Sequence, residues 1–188
     1  MTTETIISIF LGIGLAASVG FRVFVPLFVL SLASYFNFWE LNASWQWIGS
    51  LAAVITFGVA TLVEVLGYYI PFIDNLLDTI AVPLATIAGT AVMVSTVSDL
   101  SPVITWALAI IAGGGTAAAI KSAAGATRIT STVSTAGFGN PVVSTIETGT
   151  SVIMSIVSIF LPIIAFILVL FVLYIIFKLY KKIKPSAP

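Results

Sequence analysis

Ionisable side chains inside long apolar runs are the first candidates for chemistry in this sequence. Arg22 lies in LAASVGFRVFVP and Glu64 in ATLVEVLGYYIP, whereas Arg128 and Glu147 flank a stretch that contains no ionisable residue. A charged side chain within a membrane costs several kcal/mol, so such residues mark functional positions by default. We expect these four residues, with Asn140, to form a polar interior that binds a substrate.

The two arginines favour an anionic or phosphorylated substrate, because a guanidinium holds carboxylate or phosphate oxygens in a planar fork. Pro26 removes the backbone donor that would bond the carbonyl of Arg22, which predicts a broken helix. Broken helices beside a cation are typical of anion sites in transporters. Two alternatives stay open: Arg22 reaches to an interface, or it pairs with Glu64 to hold the bundle together.

The carboxylates have structural alternatives as well. Glu64 is a candidate proton carrier, a partner of Arg22, or both. Glu147 follows GNPVVSTI, and a carboxylate in the first turns of a helix is stabilised by the helix dipole. The sequence therefore favours a structural role for Glu147, at the start of the last helix, over a functional role.

Asp74 and Asp78 are spaced i, i+4 and share one face if their segment is helical. DNLLD weakly resembles the aspartate-rich magnesium sites that hold prenyl diphosphates, but the second acidic cluster of such enzymes is missing. We favour capping of the third span by Asp78 and predict no metal. An intramembrane enzyme that uses these aspartates is the least favoured interpretation.

Other catalytic and cofactor sites are excluded by composition. The chain has no histidine and no cysteine, which removes the usual general base, zinc ligands and thiol nucleophile. The glycines 113–115 lack the Lys and Ser/Thr of a phosphate loop. Seven basic and seven acidic residues balance, so nucleic acid is not expected as a partner. We predict no cofactor and no enzymatic activity.

The elements that position these residues are predicted to be membrane-spanning helices. The chain is 60% hydrophobic and 7% charged, against roughly 25% charged in soluble domains. A crossing helix needs about 20 apolar residues. The sequence therefore predicts one all-α membrane domain, 1–188, a polytopic bundle of about five transmembrane helices in the lipid bilayer. The predicted spans are 5–36, 45–70, 79–97, 102–120 and 151–180.

Two connectors are predicted to be irregular. The segment 71–78, PFIDNLLD, has the composition of a tight turn. The segment 121–150 is rich in Ser, Thr and Gly and poor in charge, so we expect irregular backbone that packs into the protein and lines the cavity with Arg128. Gly137 and Gly139 permit unusual backbone geometry, and Pro141 limits a continuous helix. A flexible surface loop is the alternative, and either this segment or the break near Arg22 could be re-entrant.

The orientation follows from four lysines that close the last span, Lys178, Lys181, Lys182 and Lys184. By the positive-inside rule the C-terminus is cytoplasmic, and with five spans the N-terminus lies outside. Aromatic residues between 35 and 47 have the composition of an interfacial belt. The small-residue stretch 113–119 permits a homo-oligomer.

A weak internal repeat is suggested by GLAASVGFR at 14–22 and AAIKSAAGATR at 118–128, each of which ends in an arginine. Each arginine is followed by a proline and later by a glutamate. If the repeat is real, two Arg–Glu sets would lie around a pseudo-two-fold axis, as in many secondary transporters.

Three stretches, LAASVGFRVFVPLFVLSLA, YYIPFIDNLLDTIAVPLATIAGT and STVSTAGFGNPVVSTIE, together resemble the family catalogued as domain of unknown function 4126. The resemblance implies a multi-pass membrane protein of the bacterial inner membrane and assigns no catalytic residue. From the residues, the leading function is a small transporter or channel-like protein for an anionic solute or lipid head group. The alternative is a structural or accessory subunit whose charges pair internally.

Overall fold

The computed structural model describes residues 2–70 and 73–183, and these residues form helices without any strand. The prediction of an all-α fold is confirmed. A 3-10 helix, Ala43–Gly49, precedes α3, and a π-helical turn, Ala109–Gly114, joins α5 to α6. The α-helices are α1 Thr3–Phe21, α2 Phe24–Tyr35, α3 Leu51–Gly67, α4 Ile73–Thr96, α5 Pro102–Leu108, α6 Gly115–Thr135, α7 Asn140–Phe160 and α8 Pro162–Ile183.

Five helical segments of the described chain are long and apolar enough to cross a membrane, in agreement with the predicted number. They are α1, α4, the continuous segment Pro102–Thr135, α7 and α8. A sixth arises if the 3-10 helix and α3, bent by 64° at their junction, form one span. The 12-residue α2 is about 18 Å long, shorter than the roughly 30 Å hydrocarbon core.

The first predicted span, 5–36, is divided at the expected place. Arg22 adopts an extended conformation after α1, with φ −139° and ψ 128°, and α2 starts two residues later. Pro26 lies in the first turn of α2, where the missing N–H would have no helical partner. The break near Arg22 is therefore confirmed, and the run forms two helices.

The two ends of the bundle carry different side chains. At one end the amide of Ser98 donates to the hydroxyl of Ser8 and the amide of Asn42 donates to the carbonyl of Ser95. We name this the tryptophan end, because the segment after α2 places Trp39, Trp45 and Trp47 there. The opposite end is the arginine end, which carries Arg22, Lys121 and Arg128.

The helices run in alternate directions between these ends, except that α5 and α6 belong to one continuous segment, Pro102–Thr135. α1 runs to the arginine end and α2 runs back, since Phe38, just past α2, lies edge-on to Phe160 at the tryptophan end, with ring centroids 5.8 Å apart. α8 is parallel to α1, because Phe10 and Phe166 stack at 4.4 Å and Ala17 packs with Val169. α8 therefore ends with its lysines at the arginine end.

The two segments predicted to be irregular are helical where the structure describes them. α4 begins at Ile73, so Asp74 and Asp78 belong to its first two turns, and Asp78 lies inside the helix and not at the expected N-cap position. Pro71 and Phe72, the other part of the predicted turn, lie outside the described residues. The predicted last span, 151–180, is divided between α7 and α8, which meet at Leu161.

The prediction of irregular backbone over 121–150 is wrong, because the segment is the α6–α7 hairpin, with only residues 136–139 between its helices. The hydroxyls that suggested irregular backbone donate to carbonyls of their own helix, as Thr127 does to Ala123. Gly137 has φ +88°, which fits the expected use of glycine. Pro141 lies in the first turn of α7 and begins a helix.

The core is built around α1, which packs against α4, α6, α7 and α8. Small residues bring the neighbouring helices together: a Cβ on Gly113 would lie 2.6 Å from the carbonyl oxygen of Gly89. Ser18 in α1 donates to the carbonyl of Ser151 in α7 at 2.7 Å. Gly113 and Ala117 of this stretch are buried within the chain, whereas Gly115 and Ala119 are exposed, and the homo-oligomer stays a prediction.

We expect Gly113→Ala to destabilise the bundle by about 1–3 kcal/mol, because the added methyl meets backbone that cannot rotate away. Gly115→Ala is the matched control, since a Cβ there meets nothing within 4 Å, and it should be neutral or stabilising by up to about 1 kcal/mol. Thermal unfolding of both variants in one detergent measures the difference. Equal effects would contradict the close approach of α4 and the π-helical turn.

Candidate functional site

Within the described residues, seven ionisable side chains converge at the arginine end. Three are cations and four are carboxylates, and six of the seven are buried, the seventh, Asp78, being partly exposed. We name this set the charge cluster; its members are Arg22, Glu64, Asp74, Asp78, Lys121, Arg128 and Glu147. The sequence proposed all of them except Lys121.

Helical periodicity explains how three helices contribute to the charge cluster. Lys121 and Arg128 are seven residues apart in α6, about two turns, and so lie on one face. Asn140, Ser144 and Glu147 follow the same rule in α7, and all three are buried. Asp74 and Asp78 share a face of α4, as their spacing predicted.

The carboxylate of Glu147 is shared by two arginines. Nη1 of Arg22 lies 3.1 Å from its Oε2. Nη2 of Arg128 donates to the same oxygen, and Nε of Arg128 donates to Oε1 at 3.4 Å. Glu147 lies two turns inside α7, so the prediction that it belongs to a helix start is wrong and its role is to pair with the arginines.

The remaining donors of Arg22 bind α7. Its Nε donates to the hydroxyl of Thr148 at 2.9 Å, and its Nη2 donates to the carbonyl of Ser144 at 3.0 Å. Nη1 is buried and has no aligned hydrogen-bond acceptor in the described chain. Its contact with Glu147 is therefore an attraction between charges without a directed hydrogen bond.

Arg128 is the other centre of the charge cluster. Its Nη2 also donates to the hydroxyl of Ser144 at 3.0 Å. Nη1 lies 3.7 Å from Asp74 and Nε lies 3.8 Å from Asp78. Asp74 additionally accepts from the side-chain amide of Asn140 at 3.2 Å. The described residues offer no hydrogen-bond acceptor to the buried Nη1 of Arg128.

Two of the sequence hypotheses concern the residues in these contacts. Asp74 and Asp78 face Arg128, and the described part of the chain contains no group of three or more acidic residues that could hold a metal. The two arginines share Glu147, so the two separate Arg–Glu sets expected from an internal repeat are not formed.

Glu64 binds backbone and forms no ion pair with Arg22. Its Oε1 accepts from the amide of Val23 at 2.8 Å and its Oε2 from the amide of Phe24 at 2.9 Å. These are free donors at the start of α2, which has no side-chain cap of its own. The alternative in which Arg22 pairs with Glu64 is wrong: within the described chain, the carboxylate within 4.0 Å of Arg22 is that of Glu147.

Sequence reasoning missed two residues of the site, Tyr68 and Lys121. The buried ring of Tyr68 lies 4.0 Å from the guanidinium carbon of Arg22 and 4.3 Å from that of Arg128. Nζ of Lys121 lies 5.1 Å from the same ring and donates to the carbonyl of Phe21 at 3.4 Å. The described part of the structure shows no carboxylate within 4.0 Å of Lys121. Its two-turn spacing from Arg128 could have signalled it, whereas nothing in the sequence marks Tyr68.

A groove of about 360 Å³ lies between α2, α3 and α4. Its polar lining includes Glu64 and Tyr68, and its walls are apolar side chains such as Val59 and Ile80, which are also exposed on the outside of the bundle. Neither arginine lines the groove. Tyr68 contacts both arginines and also lines the groove, so in this conformation its side chain separates the groove from the arginines.

Comparison with known proteins adds a family but no activity. A family model described as domain of unknown function (DUF4126) matches residues 9–182, which includes the last helix beyond the three motif stretches. No curated protein and no solved structure matches the chain.

We expect Glu64→Leu to destabilise the start of α2, because the buried amide of Val23 and the half-buried amide of Phe24 lose their acceptor. The loss of an acceptor costs about 1–3 kcal/mol for a buried amide. Glu64→Gln is the matched control, since its one amide oxygen keeps one of the two bonds. Hydrogen–deuterium exchange should rise in the peptide that contains Val23 and Phe24 and stay unchanged in α1. Unchanged exchange in Glu64→Leu would contradict the cap.

Proposed function

We propose that this chain, which belongs to the family described as domain of unknown function 4126, is a small transporter or channel-like protein for an anionic or phosphorylated solute or lipid. Its several apolar helices are those of a multi-pass membrane protein. The observation that carries the proposal is Lys121, a buried ammonium without a carboxylate partner in the described structure, beside two arginines that each keep an unbonded donor.

Energetics supports a functional reason for this arrangement. Buried ion pairs are often no more stable than apolar side chains of similar volume, because removal of charges from water is costly. A bundle that needed only stability would gain little from three buried cations. Donors without acceptors cost further free energy, and a bound anion would supply the missing acceptors.

The proposed orientation places the charge cluster near the cytoplasm. The described lysines at the end of α8 and the charge cluster lie at the same end of the bundle, and the tryptophans lie at the other. Lysine-rich ends face the cytoplasm, and tryptophan marks membrane interfaces. We assign the protein to the bacterial inner membrane with a cytoplasmic C-terminus, and we assign no enzymatic activity.

A structural or accessory subunit is the second candidate, and a specific observation favours it. Arg22 is 0% exposed and Arg128 is 2% exposed, and the groove reaches neither of them. A transporter must open this region to water during its cycle, whereas a structural bundle keeps it closed. Water access to the charge cluster therefore separates the two functions.

Single cysteines in this naturally cysteine-free chain measure that access. We expect Ser144→Cys, at a fully buried position beside Arg128, to react slowly but measurably with a membrane-impermeant thiol reagent in everted vesicles. Phe138→Cys, at an 88% exposed position of the hairpin, is the positive control. Ser158→Cys, fully buried and packed against Gly14 in the core, is the negative control.

Two results would contradict the proposal. If Ser144→Cys is as unreactive as Ser158→Cys, the charge cluster stays closed and the structural role is the better explanation. If Phe138→Cys reacts in right-side-out vesicles and not in everted ones, the arginine end faces outward and the orientation is reversed.

A further inference from the structure

The geometry points to Glu147 as an internal substitute for the phosphate group of the ligand, and to the uptake of one proton by Glu147 when that phosphate binds. The inference rests on the proposed function, because it names the ligand group and the coupling of the same site. It concerns a phosphate group, whether on a free ion or on a lipid head group.

Glu147 occupies the position in which two arginines would hold a phosphate. Arg128 approaches its two carboxylate oxygens with Nη2 and Nε, in the side-on manner by which guanidinium groups bind carboxylates and phosphates. Arg22 approaches Oε2 from α1 at 3.1 Å. Charges from three helices thus meet at one oxygen pair.

A phosphate would give directed hydrogen bonds to donors with which this carboxylate is not aligned. Nη1 of Arg22 and Nη1 of Arg128 are buried and lack acceptors in the described chain. Lys121 has one 3.4 Å contact with a carbonyl. A carboxylate offers two oxygens in one plane, whereas a phosphate group, free or esterified, presents four oxygens around its phosphorus and so faces donors in more directions. The unbonded donors therefore indicate a larger anion than the one now present.

Displacement of Glu147 requires that its charge be neutralised. A buried carboxylate that has lost its partners costs several kcal/mol, so protonation from water is the less costly state. One proton then binds a carboxylate oxygen of Glu147 for each phosphate bound. The positive charge of the proton offsets one negative charge of the ligand, so the net charge of the site changes by the sum of the two. Phosphate binding should tighten as the pH falls.

Glu147 is the carboxylate best placed for this exchange. The other carboxylates of the cluster have separate partners: Glu64 binds two backbone amides of α2, and Asp74 binds Asn140. Asp78 is the most exposed and lies 3.8 Å from Arg128. Titratable and charged groups face Glu147 from four packed helices. They are Arg22 of α1, Glu64 of α3 with Tyr68 at the C-cap of α3, Asp74 and Asp78 of α4, and Lys121 and Arg128 of α6.

Calorimetric titration of the purified full-length protein tests the inference. The probes are inorganic phosphate and a short-chain phosphatidylglycerol, each titrated in two buffers that differ in ionisation enthalpy, which yields the number of protons taken up. We expect close to one proton per ligand, and an affinity that changes about tenfold per pH unit where uptake is complete. Binding of phosphatidylglycerol alone identifies a lipid head group, and binding of inorganic phosphate identifies a free anion.

Glu147→Gln removes the internal anion and the proton acceptor together. We expect this variant to have a lower Tm than the wild type, to recover Tm when phosphate is added, and to bind phosphate without proton uptake. Glu40→Gln, at an exposed position after α2, is the matched control and should behave as the wild type. If Glu147→Gln does not fold, the proton number of the wild type with phosphatidylglycerol decides by itself, because the phosphodiester of this probe, unlike inorganic phosphate, does not titrate near neutral pH.

The outcomes separate this inference from the proposed function. If the wild type binds a probe without proton uptake, the coupling through Glu147 is overturned while anion binding stands. If Glu147→Gln binds with the same proton uptake as the wild type, Glu147 is not the proton acceptor. If neither protein binds either probe, both the phosphate site and the proposed anion transport are overturned.

Discussion

The carboxylate of Glu147 lies between the guanidinium groups of Arg22 and Arg128 and joins α1, α6 and α7 at the arginine end. Each charge needs the others, because an isolated buried charge costs several kcal/mol. The helix ends at this side of the bundle are arranged around that contact. Arg22 can reach it because α1 ends there, and Glu147 reaches it from two turns inside α7.

The end of α1 creates a second requirement, which Glu64 meets. α2 starts at the level of the charge cluster with free amides and an apolar residue, Val23, at its N-cap. Glu64 comes from α3 to accept from two of these amides, so α3 is held beside α2. Tyr68 lines the groove between α2, α3 and α4. Its ring also contacts both arginines, so this one side chain lies between the groove and the charge cluster.

The candidate residues could be predicted from the sequence because a charge in an apolar run is costly wherever the helices lie. The pairs that these residues form could not be predicted, because they depend on the rotation of each helix about its axis and on the direction of its chain. Arg22 therefore pairs with Glu147 and not with Glu64. The α6–α7 hairpin was missed because serine and threonine hydroxyls bond within a helix as well as in a loop. Lys121 was missed because small residues surround it in sequence, although helical spacing aligns it with Arg128.

A double-mutant cycle between Arg22 and Glu147 tests most directly whether the shared carboxylate holds the arginine end together. Arg22→Gln and Glu147→Gln, singly and combined, are compared by their free energies of unfolding in one detergent. Glu147→Gln should cost about 3–5 kcal/mol, because Arg22 and Arg128 both lose the shared carboxylate, and Arg22→Gln should cost less, because Arg128 still pairs with Glu147. The combined variant should lose less than the sum, with a coupling of about 1–3 kcal/mol. Additive losses, within about 0.5 kcal/mol, would contradict the account.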